Sequence, residues 1–187
     1  MTSAWLLSRV LLLWLIAAAA MDMRIRKVRN WMVLLGLASG ATALFSGVQP
    51  FRVEPWDGLA GMLAAFAVLL PFYALRWMGA GDVKFAAVMG LWFGFSPYLL
   101  LIWIGGSLLA GLHGLVVLAW RGLQRSSYGA LLQAWLPARL AVAFAMPAPH
   151  PTTTDGRRTI QRSIPYAGYM ALAAIWVVIR TGPQSAS

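Results

Sequence analysis

The chain has 187 residues, of which 60% are hydrophobic and only 11% are charged, and its formal net charge is +10. A soluble domain carries about 25% charged residues, so this composition indicates a single membrane-embedded domain. The absence of cysteine excludes disulfides, thiol catalysis and cysteine-ligated zinc. Because the basic residues fall between long apolar runs, the positive charge indicates the cytoplasmic face of a membrane rather than a nucleic-acid partner.

Six apolar segments predict the spans of an all-α integral membrane protein. A helix needs roughly 20 apolar residues to cross a bilayer core about 30 Å thick. The uncharged run from Lys84 to Arg121 is far longer than one crossing needs, and Ser96-Pro97 predicts the turn that divides it. The predicted spans are about 4–21, 31–48, 58–75, 83–95, 98–120 and 165–179.

The basic residues divide unevenly between the two sides of this layout. With six crossings, the segments 22–30, 76–84 and 121–164 lie on one side and hold twelve of the fifteen Lys and Arg residues. Cytoplasmic loops carry such an excess of positive charge. We therefore expect these three segments in the cytoplasm, both termini outside, and the arginines of segment 22–30 against anionic lipid.

Two parts of the chain allow other interpretations. The first span resembles a secretory signal because Ala17–Ala20 are small residues, but the basic cluster and the further spans that follow favour a retained helix. Residues 128–146 are apolar enough for a seventh crossing. That crossing would put Arg157, Arg158 and Arg162 outside, so we expect instead a helix that lies in the cytoplasmic interface.

Two of the five acids, Asp22 and Asp82, lie at the cytoplasmic ends of predicted spans. Ionisable groups at this depth are costly and are functional candidates for that reason. If spans one and four pack together, both carboxylates face one cleft, and one of them keeps a proton because two close carboxylates do not easily both ionise. Such a pair offers an acid and a base that share a water, which hydrolysis by an aspartic dyad requires.

Both aspartates also have purely structural interpretations, and the protein has rival functions. Asp82 precedes a helix and could be its N-cap, whereas Asp22 could pair with Arg24 or Arg26 in a solvated loop. A small transporter would use membrane carboxylates as a proton path, but its acids would be spread through the membrane depth. A scaffold subunit of a secretion system would need neither carboxylate.

The residues around Asp82 form a Gly-x-Gly-Asp-x-Lys motif that runs from Gly79 to Lys84. We expect its glycines, Gly79 and Gly81, to let backbone segments approach closely and to adopt positive φ angles. The motif resembles that of the prepilin peptidases, or type IV leader peptidases, which belong with the membrane aspartic proteases that share Gly-x-Gly-Asp.

Other parts of the chain, from Asp22 to about Ala174, support this resemblance. In the family a basic run and Ile-Pro-Asn follow the first aspartate, and here Val28-Arg29-Asn30 closes the basic run. Small members carry Pro-Tyr-Gly before the last span, and here Pro165-Tyr166-Ala167 stands at that place. Arg29 in place of proline and Ala167 in place of glycine depart from the family pattern, but neither departure touches the two aspartates.

The resemblance implies an aspartic endopeptidase of the bacterial inner membrane with Asp22 and Asp82 as its catalytic pair, supported by Gly79, Gly81 and Lys84. Its substrate would be a prepilin or pseudopilin, cut after a glycine at the cytoplasmic face, with no metal or cofactor. Larger relatives carry cysteines in a cytoplasmic insertion and also N-methylate the pilin. Without cysteine, this chain resembles the short peptidases of tight-adherence (Flp) pilus systems.

Two further side chains have open roles. Lys84 follows Asp82 by two residues, so it could tune that carboxyl group, hold the turn, or extend to the membrane interface. His113 lies in the middle of a predicted span, where a packed, hydrogen-bonded histidine is favoured over a proton relay. The sequence assigns neither the substrate-binding residues nor the oligomeric state.

Overall fold

The computed structural model describes residues 3–25, 29–126 and 165–181, and their regular structure is entirely helical. Each helix coincides with one predicted span, which confirms the all-α fold class. The six helices are α1 (Ser3–Ile25), α2 (Asn30–Phe45), α3 (Pro55–Ala74), α4 (Ala80–Phe93), α5 (Pro97–Arg125) and α6 (Tyr166–Thr181).

Three of these helices are long and apolar enough to cross a membrane: α1 over Trp5–Ile25, α3 over Pro55–Ala74 and α5 over Pro97–Leu123. α2 and α6 are shorter apolar helices. The protein is therefore a membrane protein with several candidate spans, and the layout with six crossings stays a prediction.

Two helices extend beyond their predicted ends. α1 continues to Ile25, so Asp22 lies within the helix and not in the segment after it. α5 continues to Arg125, so the first residues of the basic segment 121–164 are helical. The interfacial helix predicted at 128–146 lies outside the described residues.

The chain divides into two compact units. The first comprises Met1–Gly111 and Ser163–Ser187, and it contains α1 to α4, the first part of α5 and all of α6. The second comprises Leu112–Arg162, of which the structure describes residues 112–126. His113 lies in this second unit, on an exposed part of α5.

α4 is the central helix of the first unit, and every residue from Phe85 to Phe93 is buried. α2, α3 and α6 all contact it, which is the environment that a helix with apolar residues all round requires. Trp14 of α1 stacks on Phe85 with ring centroids 5.3 Å apart. Trp92 donates its indole N–H to the carbonyl oxygen of Gly36 over 3.1 Å, which ties α4 to α2.

The turn predicted at Ser96-Pro97 is confirmed, and it separates α4 from α5. The Ser96 hydroxyl donates to the carbonyl oxygen of Phe93 over 2.7 Å, and the Leu99 amide donates to the carbonyl oxygen of Ser96 over 3.1 Å. Gly94, which ends α4, has a φ of 66°, a left-handed conformation that glycine adopts without strain.

α3 and α4 approach most closely where Gly61 lies against Gly90. A Cβ atom on either glycine would overlap backbone atoms of the other residue. Small residues allow such close contact between helices in membranes, where packing rather than the hydrophobic effect holds helices together. The position of α3 beside α4 therefore depends on the absence of side chains at these two residues.

We expect Gly90→Ala to lower the thermal unfolding midpoint of the detergent-solubilised protein, because the added methyl group forces α3 away from α4. Overpacking of this kind costs about 1–3 kcal/mol. Gly111→Ala is the control, because a Cβ there meets no atom within 4 Å and alanine favours the helix. Equal midpoints for the two variants would contradict this account of the α3–α4 contact.

Candidate active site

Asp22 lies on the buried face of α1. This face also carries Ser8, Leu11, Leu15 and Ala18, all buried, and the intervals of three and four residues place them on one side of the helix. Asp22 is only 3% exposed. The interpretation of Asp22 as part of a solvated loop is therefore wrong.

Asp82 is the third residue of α4, whose N-cap is Gly79. Its Oδ2 atom accepts a hydrogen bond from the Gly79 amide over 3.2 Å, so Asp82 is not the N-cap residue but does satisfy the N-cap amide. A Cβ on Gly79 would lie 3.2 Å from this same Oδ2 atom, which is a tight contact. Glycine at this position leaves room for the carboxylate to fold back on the helix start.

The expected positive φ angles of the motif glycines are wrong. Gly79 has a φ of −76° and a ψ of 148°, and the glycines with positive φ in the described part of the chain are Gly47 and Gly94. The reason is that the motif begins a helix directly. Gly79 takes the extended conformation of an N-cap residue, and Gly81 already lies in the first helical turn.

The first turn of α6 brings the two carboxylates together. The amide of Ala167 donates to Oδ1 of Asp82 over 3.0 Å, and the next amide, that of Gly168, donates to Oδ2 of Asp22 over 2.7 Å. Amides in the first turn have no partner within their own helix, and the helix dipole favours negative charge there. α6 thus holds one carboxylate from α1 and one from α4 at its positive end.

Burial changes the acidity of Asp82. Asp82 belongs to the polar segment 76–84, which precedes the fourth predicted span. Its pKa is raised from the ordinary value of 3.8 to about 6, chiefly because burial removes water from the carboxyl group. The hydrogen bonds from the Ala167 and Gly79 amides oppose this rise, whereas the nearby charge of Asp22 adds to it. Asp82 therefore keeps its proton to a higher pH than an ordinary carboxyl group does.

Sequence reasoning missed the two amide donors. The Pro165-Tyr166-Ala167 segment supported the family resemblance, but its sequence did not predict that its backbone amides bind the carboxylates. Every residue except proline has a backbone N–H group. Gly168 matters for a second reason, because a Cβ there would lie 3.2 Å from Oδ2 of Asp22. The neighbouring Tyr166 is held by a hydrogen bond of 3.0 Å between its hydroxyl and that of Ser107.

Lys84 lies apart from the two carboxylates. Its Nζ atom donates to Oδ1 of Asn30, the first residue of α2, over 3.2 Å, and it is not among the groups that shift the pKa of Asp82. Of the predicted residues, the structure therefore brings together Asp22, Asp82 and Gly79, and it places Lys84 where α4 meets α2.

The chemistry of the site is that of two adjacent carboxyl groups. Within residues 3–25, 29–126 and 165–181, no cluster of three or more His, Asp or Glu side chains is arranged to hold a metal ion. Two carboxyl groups that share one proton can act as an acid and a base towards the same water molecule.

Comparisons with known proteins bear on the same region. The model of the type IV leader peptidase family matches residues 9–115, which is more than half of the chain and includes Asp22 and Asp82. α6, with its two amide donors, lies beyond the matched residues. Searches of the curated proteins and of the solved structures give no match.

We expect Gly168→Ala to destabilise the protein, because the added methyl group pushes the buried Asp22 carboxylate off its amide donor. A weakened hydrogen bond to a buried group costs about 1–3 kcal/mol, which would appear as unfolding at a lower SDS fraction in mixed micelles. Gly122→Ala is the matched control, because a Cβ there meets open space. If both variants unfold at the wild-type SDS fraction, the contact does not hold α6 against α1.

Proposed function

Since the chain belongs to the type IV leader peptidase family, we propose that Asp22 and Asp82 are the catalytic pair with which it removes leader peptides. The protein is an aspartic-type prepilin peptidase of a bacterial membrane. It contains no cysteine, in keeping with the short class that lacks the methyltransferase insertion.

One observation carries the assignment: the two carboxylates accept hydrogen bonds from consecutive amides of one helix turn. Two helices separate these aspartates along the chain, so their side chains lie close together only because the fold brings α1 and α4 to the same end of α6. A pair held so closely loses its two protons in separate steps, so a singly protonated state exists over a range of pH.

Hydrolysis then needs only the pair and water. The ionised carboxylate takes a proton from a water molecule, and the water oxygen attacks the scissile carbonyl carbon. The protonated carboxyl group donates its proton to the carbonyl oxygen, which gives a tetrahedral diol. As the diol collapses, one of its hydroxyl groups gives its proton to the ionised carboxylate, the C–N bond breaks, and the leaving amine takes up the proton that the other carboxyl group received from the water. In the resting state the pair shares one proton, and burial, which raises the pKa of Asp82, helps to retain it.

The proposed substrate is a prepilin or pseudopilin with a short basic leader and a glycine before the cleaved bond. The apolar helix after the cut would lie in the bilayer beside the spans, with its cytoplasmic end at the pair. Since Asp22 is 3% exposed, the scissile backbone has to approach closely, and a residue without a side chain permits that approach. The asymmetry of basic residues supports a site at the cytoplasmic face.

The positions of the other acids favour hydrolysis over a proton path. A path across the membrane needs ionisable groups at successive depths. Among the described residues, Asp22 and Asp82 meet at the same turn of α6, and the remaining acids, Glu54 and Asp57, lie together at the start of α3. A scaffold role without chemistry would be the inference if Asp22→Asn and Asp82→Asn left function intact. Transport or a scaffold role would be the inference if the wild type cleaved none of several candidate prepilins.

We expect Asp22→Asn and Asp82→Asn each to lower prepilin cleavage by about 10²–10⁴-fold, because each removes a proton-transfer group. The measurement is a gel-shift assay with a prepilin encoded nearby, co-expressed with each variant at matched membrane levels. Asp57→Asn is the control, since that exposed acid lies in the first turn of α3, and it should cleave as the wild type does. Cleavage by both site variants at the wild-type rate would exclude the aspartic mechanism.

The raised pKa of Asp82 predicts the pH dependence of cleavage. Burial raises the pKa of Asp82 to about 6, so the pair loses the proton that the mechanism requires as pH rises through this value. kcat/KM should therefore fall on the alkaline side with an apparent pKa near 6. The check is a pH profile of the purified enzyme with a synthetic prepilin peptide. A constant kcat/KM from about pH 5 to about pH 8 would be incompatible with a shared proton that the pair loses near pH 6.

A further inference from the structure

An apolar groove runs along the surface of the first unit between α2 and α3, with α4 as its floor. We call it the α2–α3 groove; its volume is about 500 Å³, and its walls include Leu34 and Leu37 of α2 and Leu63 and Phe66 of α3. Leu34 and Leu63 are 64% and 62% exposed. In a membrane protein such side chains face the acyl chains of the bilayer, so the groove opens sideways to lipid.

One end of the α2–α3 groove is polar and positively charged. Lys84 and Asn30 line it there, and Nζ of Lys84 donates one hydrogen bond to Oδ1 of Asn30. Lys84 is exposed, and among the described residues no carboxylate forms an ion pair with it. Two ammonium hydrogens of Lys84 and the amide group of Asn30 are thus left to donate to a ligand.

We infer that the α2–α3 groove binds one anionic phospholipid, with its phosphate on Lys84 and Asn30 and an acyl chain between α2 and α3. The positively charged end of the groove complements the phosphate of such a lipid, and the apolar walls complement its acyl chain. Lysine binds phosphate as a point charge, and basic pockets between membrane helices at the cytoplasmic side are suited to anionic headgroups.

The orientation of α4 separates this groove from the catalytic pair. Asp82 faces α6, where it accepts the Ala167 amide, whereas Lys84, two residues later, faces α2. A substrate backbone has to reach Asp22 and Asp82, but an occupant of the groove lies on the other side of α4. A lipid fits this placement, and it would brace α2 against the same helical turn that carries Asp82.

The test uses the full-length protein in mild detergent, titrated with phosphatidylglycerol or with phosphatidylcholine, and native mass spectrometry to count bound lipids. We expect the wild type to retain one phosphatidylglycerol in preference to phosphatidylcholine. Lys84→Gln should weaken phosphatidylglycerol retention about fivefold. Leu34→Trp should weaken retention of both lipids, because an indole ring fills the groove.

Matched controls separate the groove from general effects of charge and size. Arg76→Gln removes another exposed charge of segment 76–84, and Leu13→Trp enlarges another exposed leucine; both should bind phosphatidylglycerol as the wild type does. Wild-type retention by Lys84→Gln or by Leu34→Trp would overturn the inference. So would one-for-one displacement of the lipid by a synthetic pilin helix, which would make the groove a substrate site. The assay contains no cleavage step, so its outcome is independent of the catalytic assignment.

Discussion

Two hydrogen bonds, from the Ala167 and Gly168 amides to Asp82 and Asp22, are the interaction on which the architecture of the site depends. The amides and the carboxylates satisfy each other's hydrogen-bonding requirements. The amides at the start of α6 have no acceptor in their own helix, and a buried carboxylate needs donors. Because both carboxylates share one helix end, the charge of each also acts on the other, and this mutual effect is what proton-sharing chemistry uses.

α4 links this site to the rest of the first unit. Its first turn directs Asp82 towards α6 and Lys84 towards α2, while Gly90, further along, lies against Gly61 of α3. A helix that is buried on every side cannot shift without displacing its neighbours. The Asp82 carboxylate is therefore positioned by contacts along the whole of α4, including contacts far from Asp82 itself.

The sequence predicted the helices well and the site in part. The positions of all six helices followed from apolar runs and from the Ser96-Pro97 turn. The acidic pair followed from the position of Asp22 and Asp82 at cytoplasmic span ends together with the Gly-x-Gly-Asp-x-Lys motif and the family that it resembles. Its amide donors did not follow, because any residue but proline supplies a backbone N–H, and only the three-dimensional meeting of α6 with α1 and α4 selects these two. The glycine conformations were wrong for a local reason: Gly79 begins a helix, whereas the expectation assumed a turn.

The donors and acceptors of the site are far apart along the chain, since 85 residues separate Ala167 from Asp82 and 146 separate Gly168 from Asp22. During translation, α1 and α4, which carry the two aspartates, are synthesised before α6. Until then the two carboxyl groups lack the amides that hold them together. The geometry of the pair is therefore complete only once α6 has been inserted beside α1 and α4.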